Sequence, residues 1–440
     1  MEAASLHDLS IALAPEVLDE GLPEERAAFG MFSICTPRGS LTEGFDFYLN
    51  GLRAGPLVSG YHAAEWFAWN WWRLRWEGRS AAAHWSGAHC MTSIGEGYVW
   101  PTVTILSDGL RTALIAEPSA RPDAKPFRYL GSVSAAVPST LFEAALDEFV
   151  PRIIGRLRAQ NTAQTNLDRV WQDVLAERAE PEVARRRRLE ALLGREPDGV
   201  EDDAIETLLL DAARLGEQAV DEIAAAGAHR PRVLTAEALE GRGALGGRGS
   251  WSDALRLGPD RRLPYGAQMP AWQVGAAAAK AVREQERLGA EPIADSRLAA
   301  MAGTHVTTVT QRQDNDLDLS FSLDGAEGAS QIVLRSKWPT GRRFDLARLV
   351  GDRLMAPEGA LHPATRAYTY RQKAQRSFAA ELLSPFETVE AMMENDFSVE
   401  RQQEVAEHFD VSAMAIATLL TNHARLDRVG SDLDFEGAAA

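Results

Sequence analysis

The sequence predicts an α+β protein of several domains, and three observations lead to this prediction. The chain has 440 residues, enough for two or three domains that each bury a core. Segments with strand-type alternation and segments with helical spacing of apolar residues occur in both halves of the chain. A highly charged helical region and a glycine-rich stretch lie between the halves. We predict an N-terminal tryptophan-rich α/β domain with a small antiparallel sheet (1–160), a helical connector (161–235), a glycine-rich linker (236–261), an α+β domain (262–430) and a flexible tail (431–440).

Composition and charge are those of an acidic globular protein. Hydrophobic residues make up 45% and charged residues 25% of the chain. The formal net charge of -17 disfavours sequence-independent binding to nucleic acid, which needs Lys and Arg to displace counterions. Cys35 and Cys90 cannot form a disulfide framework and suit a reducing compartment. Since no apolar run approaches about eighteen residues and no signal-peptide pattern begins the chain, we expect a cytoplasmic protein that does not enter a membrane.

In the N-terminal domain, two hairpins and a helix are predicted. Residues 45–49 alternate like a strand and end at Asn50-Gly51, a hairpin-turn dipeptide. Residues 98–106 and 112–116 form a second hairpin candidate, residues 127–133 a further strand, and residues 139–158 a helix.

Seven tryptophans fall within thirty-five residues of this domain: Trp66, Trp69, Trp71, Trp72, Trp76, Trp85 and Trp100. A helix beginning near Tyr61 would place Glu65, Trp69, Trp72 and Trp76 on one stripe, with Arg73 pointing elsewhere. One interpretation is a surface that stacks a ligand or nucleic acid, with Trp66, Trp69, Trp72 and Arg73 as its binding residues. The other, which we favour, is that the indoles fill the core beside a sheet.

The region between the domains contains two further motifs. Four consecutive arginines at 185–188 could grip phosphate, but such a run more often forms a solvated helix face, which we favour. Gly241, Gly243 and Gly246 have a spacing similar to that of a dinucleotide-binding loop. Because no clear strand precedes them, a flexible linker is the better interpretation.

Residues 262–430 give a defined order of predicted elements. A helix opens at Pro270-Ala271-Trp272, and a short helix covers residues 293–299. Three strand candidates follow, at 304–310, 317–323 and 331–336. Further helices are predicted from Arg342, over 372–383, and as a pair over 398–426; the pair could be a helix-turn-helix, but packing accounts better for its apolar residues.

Three local patterns in this order carry a resemblance. They are Arg343-Phe344-Asp345-Leu346-Ala347, then Phe378-Ala379-Ala380-Glu381-Leu382-Leu383-Ser384-Pro385, and the terminal helical stretch 404–419. Together they resemble the ImmA/IrrE family of small metallopeptidase-like proteins over roughly residues 262–430. The resemblance implies a zincin-like α+β domain with a zinc-binding His-Glu-x-x-His helix.

The positions at which this resemblance places the zinc chemistry hold other residues. Arg348, Leu349 and Asp352 stand where the family has its two histidines and its glutamate, and Gln372 or Gln375 stands near the third ligand. Arg cannot ligate a cation, Leu cannot accept a proton, and a neutral amide is a poor zinc ligand. The sequence therefore predicts no zinc, no cofactor and no catalytic residue here. His362, with Asp345 and Glu358 nearby, could rebuild a site, but an ordinary surface arrangement is favoured.

A charge arrangement is predicted in place of the metal. Arg348 and Asp352 have the i, i+4 spacing of an ion pair. The candidate binding residues of the cleft are Arg348, Asp352, Arg353, Arg366, Arg371, Gln372 and Arg376. An open cleft would bind an anionic ligand or an acidic partner segment, whereas the alternative, which we favour, is a collapsed pocket with surface ion pairs.

By resemblance, the chain is expected to be a catalytically inactive regulatory or scaffold protein of a bacterial regulatory, stress or antiphage-defence system that binds a protein partner. One rival is a hydrolase with a site near His62, Glu65, His84, His89 and Glu96, with Cys90 as a further metal candidate, which would be sensitive to chelation. Another, less favoured, is a nucleic-acid-binding regulator that uses the tryptophans and the arginine run, and its binding would depend on salt.

Overall fold

The computed structural model describes residues 9–82, 84–230, 233–258, 263, 266–313 and 316–427. The chain is a mixed α+β protein, 48% helical and 16% strand, with several small antiparallel sheets. It divides into two compact units, with the boundary between Val200 and Glu201, inside the predicted connector. The predicted tail at 431–440 lies outside the described residues. Among the helices of the described segments, none has the length and apolar character needed to cross a membrane.

Unit 1, the part up to Val200, has three antiparallel sheets in its described residues. Its strands are β1 (Ser10–Pro15), β2 (Phe29–Thr36), β3 (Gly39–Ser40), β4 (Gly44–Asp46), β5 (Gly51–Arg53), β6 (Leu57–Ser59), β7 (Val103–Ser107), β8 (Arg111–Ala116), β9 (Phe127–Tyr129) and β10 (Ser134–Pro138). Its helices are α1 (Pro23–Ala27), α2 (Gly60–Trp69), α3 (Trp71–Trp76), α4 (Trp85–His89), a 3-10 turn (Met91–Ser93), α5 (Ser139–Ala159), α6 (Asn166–Ala179) and α7 (Pro181–Leu192).

Both predicted hairpins of unit 1 are present. β7 pairs with β8 from Ser107↔Thr112 onwards, and β4 pairs with β5 at Asp46↔Gly51. The strand predicted over 45–49 is shorter than expected. The Asp46 side chain accepts hydrogen bonds from the backbone of Tyr48 and Leu49, at 2.9 and 3.1 Å, and so starts the turn early.

The tryptophans of unit 1 are mainly core residues, as we favoured. Trp66 and Trp72 are buried, and their indole N–H groups donate to Gly87 O and to Glu177 Oε2. The predicted single helix with one indole stripe is wrong, because the helix ends at Trp69 and a new one begins at Trp71. This break leaves Trp69 56% exposed.

The arginine run lies on α7 and is half-buried, which corrects the prediction of a solvated face. Arg187 bonds to three carboxylates, those of Glu177, Glu190 and Asp198, at 2.7, 2.9 and 2.8 Å. The guanidinium of Arg188 lies over the Trp76 ring at 4.1 Å from its centroid. The run is therefore engaged within unit 1.

Unit 2, from Glu201 onwards, has one four-stranded antiparallel sheet in its described residues. Its strands are β11 (Gly247–Ser250), β12 (Ser320–Asp324), β13 (Ala329–Val333) and β14 (Leu361–Ala364), in the order β11-β13-β12-β14. Its helices are α8 (Asp202–Leu215), α9 (Glu217–Ala226), α10 (Ala236–Gly243), α11 (Ala271–Gln285), α12 (Asp295–Met301), α13 (Thr307–Thr310), a 3-10 turn (Ala326–Gly328), α14 (Pro339–Met355), α15 (Tyr370–Leu383), α16 (Phe386–Met393), α17 (Val399–Phe409) and α18 (Ala413–Asn422).

Most elements predicted for residues 262–430 are present, with two corrections. The predicted strand at 304–310 is a short helix, because Thr310 Oγ1 and His305 Nδ1 bond to neighbouring backbone groups and favour a helical turn.

The predicted linker contains α10 and the edge strand β11. Its glycines serve close packing, since a Cβ on Gly247 would lie 2.5 Å from Thr308 Oγ1. A helix followed by a strand is also the wrong order for a dinucleotide-binding loop.

The core of unit 2 forms where α14 packs against α15, β12 and β14. Helix α15 also packs closely along α11, and Gly275 of α11 permits this approach. A Cβ on Gly275 would lie 2.2 Å from Ala374 O. The apolar sides of α17 and α18 are buried in the same core, so the packing interpretation of the terminal pair is confirmed.

We expect Gly275→Ala to lower the free energy of unfolding by about 1–3 kcal/mol, because the added methyl group meets backbone that cannot move aside. Chemical denaturation measures the change. The matched control is Gly155→Ala in α5, where a Cβ meets nothing within 4 Å. That substitution should stabilise by about 0.5–1 kcal/mol through helix propensity. Equal effects of the two substitutions would contradict the packing described.

Candidate functional site

Helix α14 carries Arg348, Leu349 and Asp352, the residues that stand where the resemblance places the zinc-binding motif, and all three are buried. Arg348 and Asp352, one turn apart, project towards β14 and α15, where their hydrogen-bond partners lie. Leu349 packs in the apolar core. No open cleft therefore exists at these side chains, and the collapsed arrangement that we favoured is present, with buried rather than surface ion pairs.

Asp352 is the central acceptor of the cluster. Its two carboxylate oxygens accept hydrogen bonds from Arg371 Nε and Nη2, at 2.7 and 2.6 Å. They also accept from Gln375 Nε2 at 2.6 Å and His362 Nδ1 at 3.0 Å. Burial alone raises the pKa of Asp352, but the charge and hydrogen bonds of Arg371, with those of His362, hold this pKa well below its usual range. Asp352 is therefore an ionised carboxylate with four donors.

Arg348 is bonded elsewhere, so the predicted ion pair between Arg348 and Asp352 is wrong. Its Nη2 donates to Gln372 Oε1 at 2.5 Å and to Thr365 O at 2.8 Å. The ion pair with Asp352 is formed by Arg371 instead. Burial, followed by repulsion from Arg376, lowers the pKa of Arg348 to about 9. Its Nε has no hydrogen-bond partner among the described residues.

Gln372 and Gln375 connect α15 to β14. Both side-chain amides donate to Pro363 O, at 2.9 and 3.0 Å, and Gln372 Oε1 accepts from Thr365 N at 2.7 Å. These amides thus satisfy backbone groups at the end of an edge strand.

The residues at these positions do not fit the zinc ion that the resemblance implies. Asp352 already accepts four hydrogen bonds, and the side chains around it are donors or neutral amides. Guanidinium groups beside a cation would add repulsion. The described part of the chain contains no group of three or more His, Cys, Asp and Glu side chains that could hold a metal ion.

His362 is part of the buried cluster, which corrects the predicted surface arrangement. Its Nδ1 bonds to Asp352, while its Nε2 lies 3.8 Å from Asp324 Oδ2. Asp345 is occupied separately by Ser320 Oγ at 2.7 Å. Glu358 is exposed in the loop that precedes β14.

The other predicted cleft arginines lie in different places. Arg353 bonds to Asp324, the last residue of β12, through both its Nη atoms at 2.6 Å. Arg366 has a side chain that is 70% exposed and lies 3.3 Å from Asp318. Arg376 donates to Ala367 O at 2.8 Å. The predicted set thus divides into a buried cluster, the ion pair of Arg353 with Asp324 at the edge of that cluster, and a surface group.

Glu222 of α9 is a buried acid that the sequence interpretation missed. Its Oε2 accepts from Thr369 Oγ1 at 2.6 Å. Burial raises the pKa of Glu222 to about 7, against the opposing charge of Arg371. The only signal in the sequence was the position of Glu222, three residues after the buried Ala219 and therefore on the same side of α9.

The rival residues in unit 1 have separate partners. His62 bonds to Glu25 at 3.0 Å, and Glu65 accepts from Tyr61 and Asn166. His89 lies between Glu77 and Ile105 O and stacks on Trp85, while Glu77 also accepts from Arg73 at 2.6 Å. Glu96 is exposed, and His84 precedes α4. Arg73, Trp66 and Trp72 are buried, so Trp69 alone of the four predicted stacking residues has the exposure that stacking requires.

Compared with known proteins, the chain matches no protein-family model, no curated protein and no solved structure.

We expect Asp352→Asn to lower the free energy of unfolding by about 3–5 kcal/mol, because it leaves Arg371 as a buried charge without its counter-charge. The matched control is Asp147→Asn, which removes a bidentate pair with Arg178 that is partly exposed. That change should cost no more than about 1 kcal/mol. Denaturation curves of the two variants test the difference, and similar values for both would contradict a central role for Asp352.

The free energy of unfolding should fall as pH rises from about 4.5 to 7. The native pKa of Glu222 lies above that of the unfolded chain, so the native state binds more protons in this window and loses stability as they leave. We expect Glu222→Gln to remove up to about 3 kcal/mol of this decline. Glu381, whose pKa is also raised to about 7 by burial, should retain its own share. An unchanged pH profile in the variant, with exposed Glu217→Gln as control, would contradict the assignment.

Proposed function

We propose that the protein is a catalytically inactive, peptidase-like regulatory or scaffold protein that acts by binding a protein partner or an anionic ligand. One observation carries this proposal: Asp352, which stands at a position that the resemblance assigns to a zinc ligand, accepts hydrogen bonds from Arg371, His362 and Gln375 instead. The order of a small antiparallel sheet, α14 and α15 supports the peptidase-like part.

The residues present cannot perform the chemistry of a zinc peptidase. Such a reaction needs a Lewis acid that activates water and a carboxylate that accepts its proton. Leu349 stands where that carboxylate would be, and it packs among apolar side chains. The one carboxylate in the cluster, Asp352, is held by its four donors and is closed to solvent.

Without this chemistry, the protein would act by binding a partner or ligand at its surface. The resemblance favours a cytoplasmic role in bacterial regulation, stress response or antiphage defence, in which the chain holds a partner rather than cleaving it. The hydrolase alternative has less support, because three of its candidate residues in unit 1, His62, Glu65 and His89, have separate partners. Nucleic-acid binding has less support as well, since the arginine run is engaged internally.

Elemental analysis of purified, untagged protein grown with added zinc tests the proposal. We expect zinc well below one ion per chain and no peptide hydrolysis that a chelator abolishes, because the cluster offers hydrogen-bond donors rather than ligands. A zinc peptidase purified in parallel serves as control. Near-stoichiometric zinc together with chelator-sensitive hydrolysis would overturn the proposal and would direct attention to His362 and to the region of His84 and Cys90.

A further inference from the structure

A single carboxylate at the surface of unit 2 is shared by three arginines. Asp318 lies 2.9 Å from Arg230, 3.3 Å from Arg366 and 3.4 Å from Arg335. Burial raises the pKa of Asp318, but the hydrogen bond from Arg230 and the charges of Arg366 and Arg335 hold it below its usual range. Each guanidinium carries five N–H donors, whereas one carboxylate has about four acceptor positions. This group therefore keeps a net positive charge and has donor capacity beyond Asp318.

Two exposed aromatic side chains lie close in sequence to these arginines. Tyr368, two residues after Arg366, is 51% exposed, and the guanidinium of Arg376 lies 5.5 Å from its ring centroid. Trp338, three residues after Arg335, is 75% exposed at the start of α14. Among the described residues of unit 2, these are the large aromatic side chains that are more than half exposed. Exposed aromatic rings beside arginines are typical of protein-binding surfaces.

The surface lies next to the buried cluster of the candidate site. Thr365, the residue before Arg366, accepts a hydrogen bond from Arg348 Nη2 at 2.8 Å and donates its backbone N–H to Gln372 Oε1 at 2.7 Å. Arg376 bonds to the loop that carries Arg366 and Tyr368. Arg366, Tyr368 and Arg376 therefore lie on the loop and helix that follow β14, next to the residues of the buried cluster on α15.

We infer that this arginine–aromatic surface, formed by Arg230, Arg335, Arg366, Arg376, Trp338 and Tyr368, docks an acidic segment of a protein partner. The inference rests on the proposed function and gives it a location and a partner chemistry. Glutamate and aspartate side chains would pair with the guanidinium forks, as Asp318 already does, and apolar side chains of the segment would pack on the two rings.

Charge selects a protein segment over nucleic acid as the occupant. A nucleic-acid backbone carries one charge per nucleotide and needs many Lys and Arg side chains to displace its counterions, whereas this surface offers four arginines and one carboxylate. A short segment with spaced carboxylates can contact the arginines on either side of Asp318. The surface is thus complementary to a short acidic sequence that alternates with apolar residues.

Fluorescence anisotropy with a labelled peptide of alternating glutamate and leucine tests the inference on the full chain. We expect the wild type to bind this peptide and binding to weaken as salt is added. The double variant Arg366→Glu, Tyr368→Ala should bind about tenfold more weakly or worse, because it reverses a charge and removes a ring.

The matched control is the double variant Arg152→Glu, Trp69→Ala in unit 1. It changes an arginine whose side chain is 64% exposed and a tryptophan that is 56% exposed. This control should bind as the wild type does, and thermal melts should show that both double variants stay folded. A peptide with lysine in place of glutamate should not bind.

Three outcomes would overturn the inference. They are no binding of the glutamate peptide by the wild type, equal binding by the two double variants, and displacement of the peptide by a single-stranded oligothymidine at comparable concentration, which would assign the surface to nucleic acid. None of these depends on zinc. Chelator-sensitive hydrolysis would overturn the proposed function by itself. If the protein contains no zinc and does not bind the glutamate peptide, only the docking surface is overturned.

Discussion

The arrangement of unit 2 depends on one buried carboxylate and the donors that it requires. An ionised Asp352 with no access to water is unfavourable unless hydrogen-bond donors surround it. Those donors come from β14 through His362 and from α15 through Arg371 and Gln375. Because the donors sit on separate elements, satisfying one charge fixes the position of α14 relative to both the sheet edge and the adjacent helix.

Secondary interactions extend this constraint outward. The amides of Gln372 and Gln375 bind backbone at the end of β14, so the edge strand is fastened to α15. Thr369, at the N-cap of α15, bonds to Glu222 and brings α9 against the same region. Gly275 lets α11 lie close on the other side of α15. A polar centre and an apolar shell thus specify the same packing, which is the consistency expected of a uniquely folded core.

The longer helices α11, α14 and α15 and the terminal pair α17 and α18 were predictable from sequence, because apolar periodicity is a local signal, whereas α10 and α13 fell in a predicted linker and a predicted strand. Sequence reasoning also identified that Arg348, Leu349 and Asp352 are unsuited to zinc, since that follows from side-chain chemistry alone. It failed where the outcome depends on distant partners. The choice of Arg371 over Arg348 as the partner of Asp352 is set by how α15 packs, and the burial of His362 is set by β14, a strand too short to show alternation. The break between α2 and α3 was equally invisible, because Asn70 ends the helix through its own side chain, which donates to Trp66 O at 2.8 Å.

The many donors around Asp352 also limit how α14 can be altered. Replacing Asp352 removes the acceptor that Arg371, His362 and Gln375 share, which costs several kcal/mol because a buried charge loses its counter-charge. Natural domains have only about 5–15 kcal/mol of stability to lose. Building a metal site into α14 one residue at a time would therefore pass through variants that fold poorly. Changes to exposed side chains of unit 2 avoid this cost, because surface substitutions usually alter stability by less than about 0.5 kcal/mol.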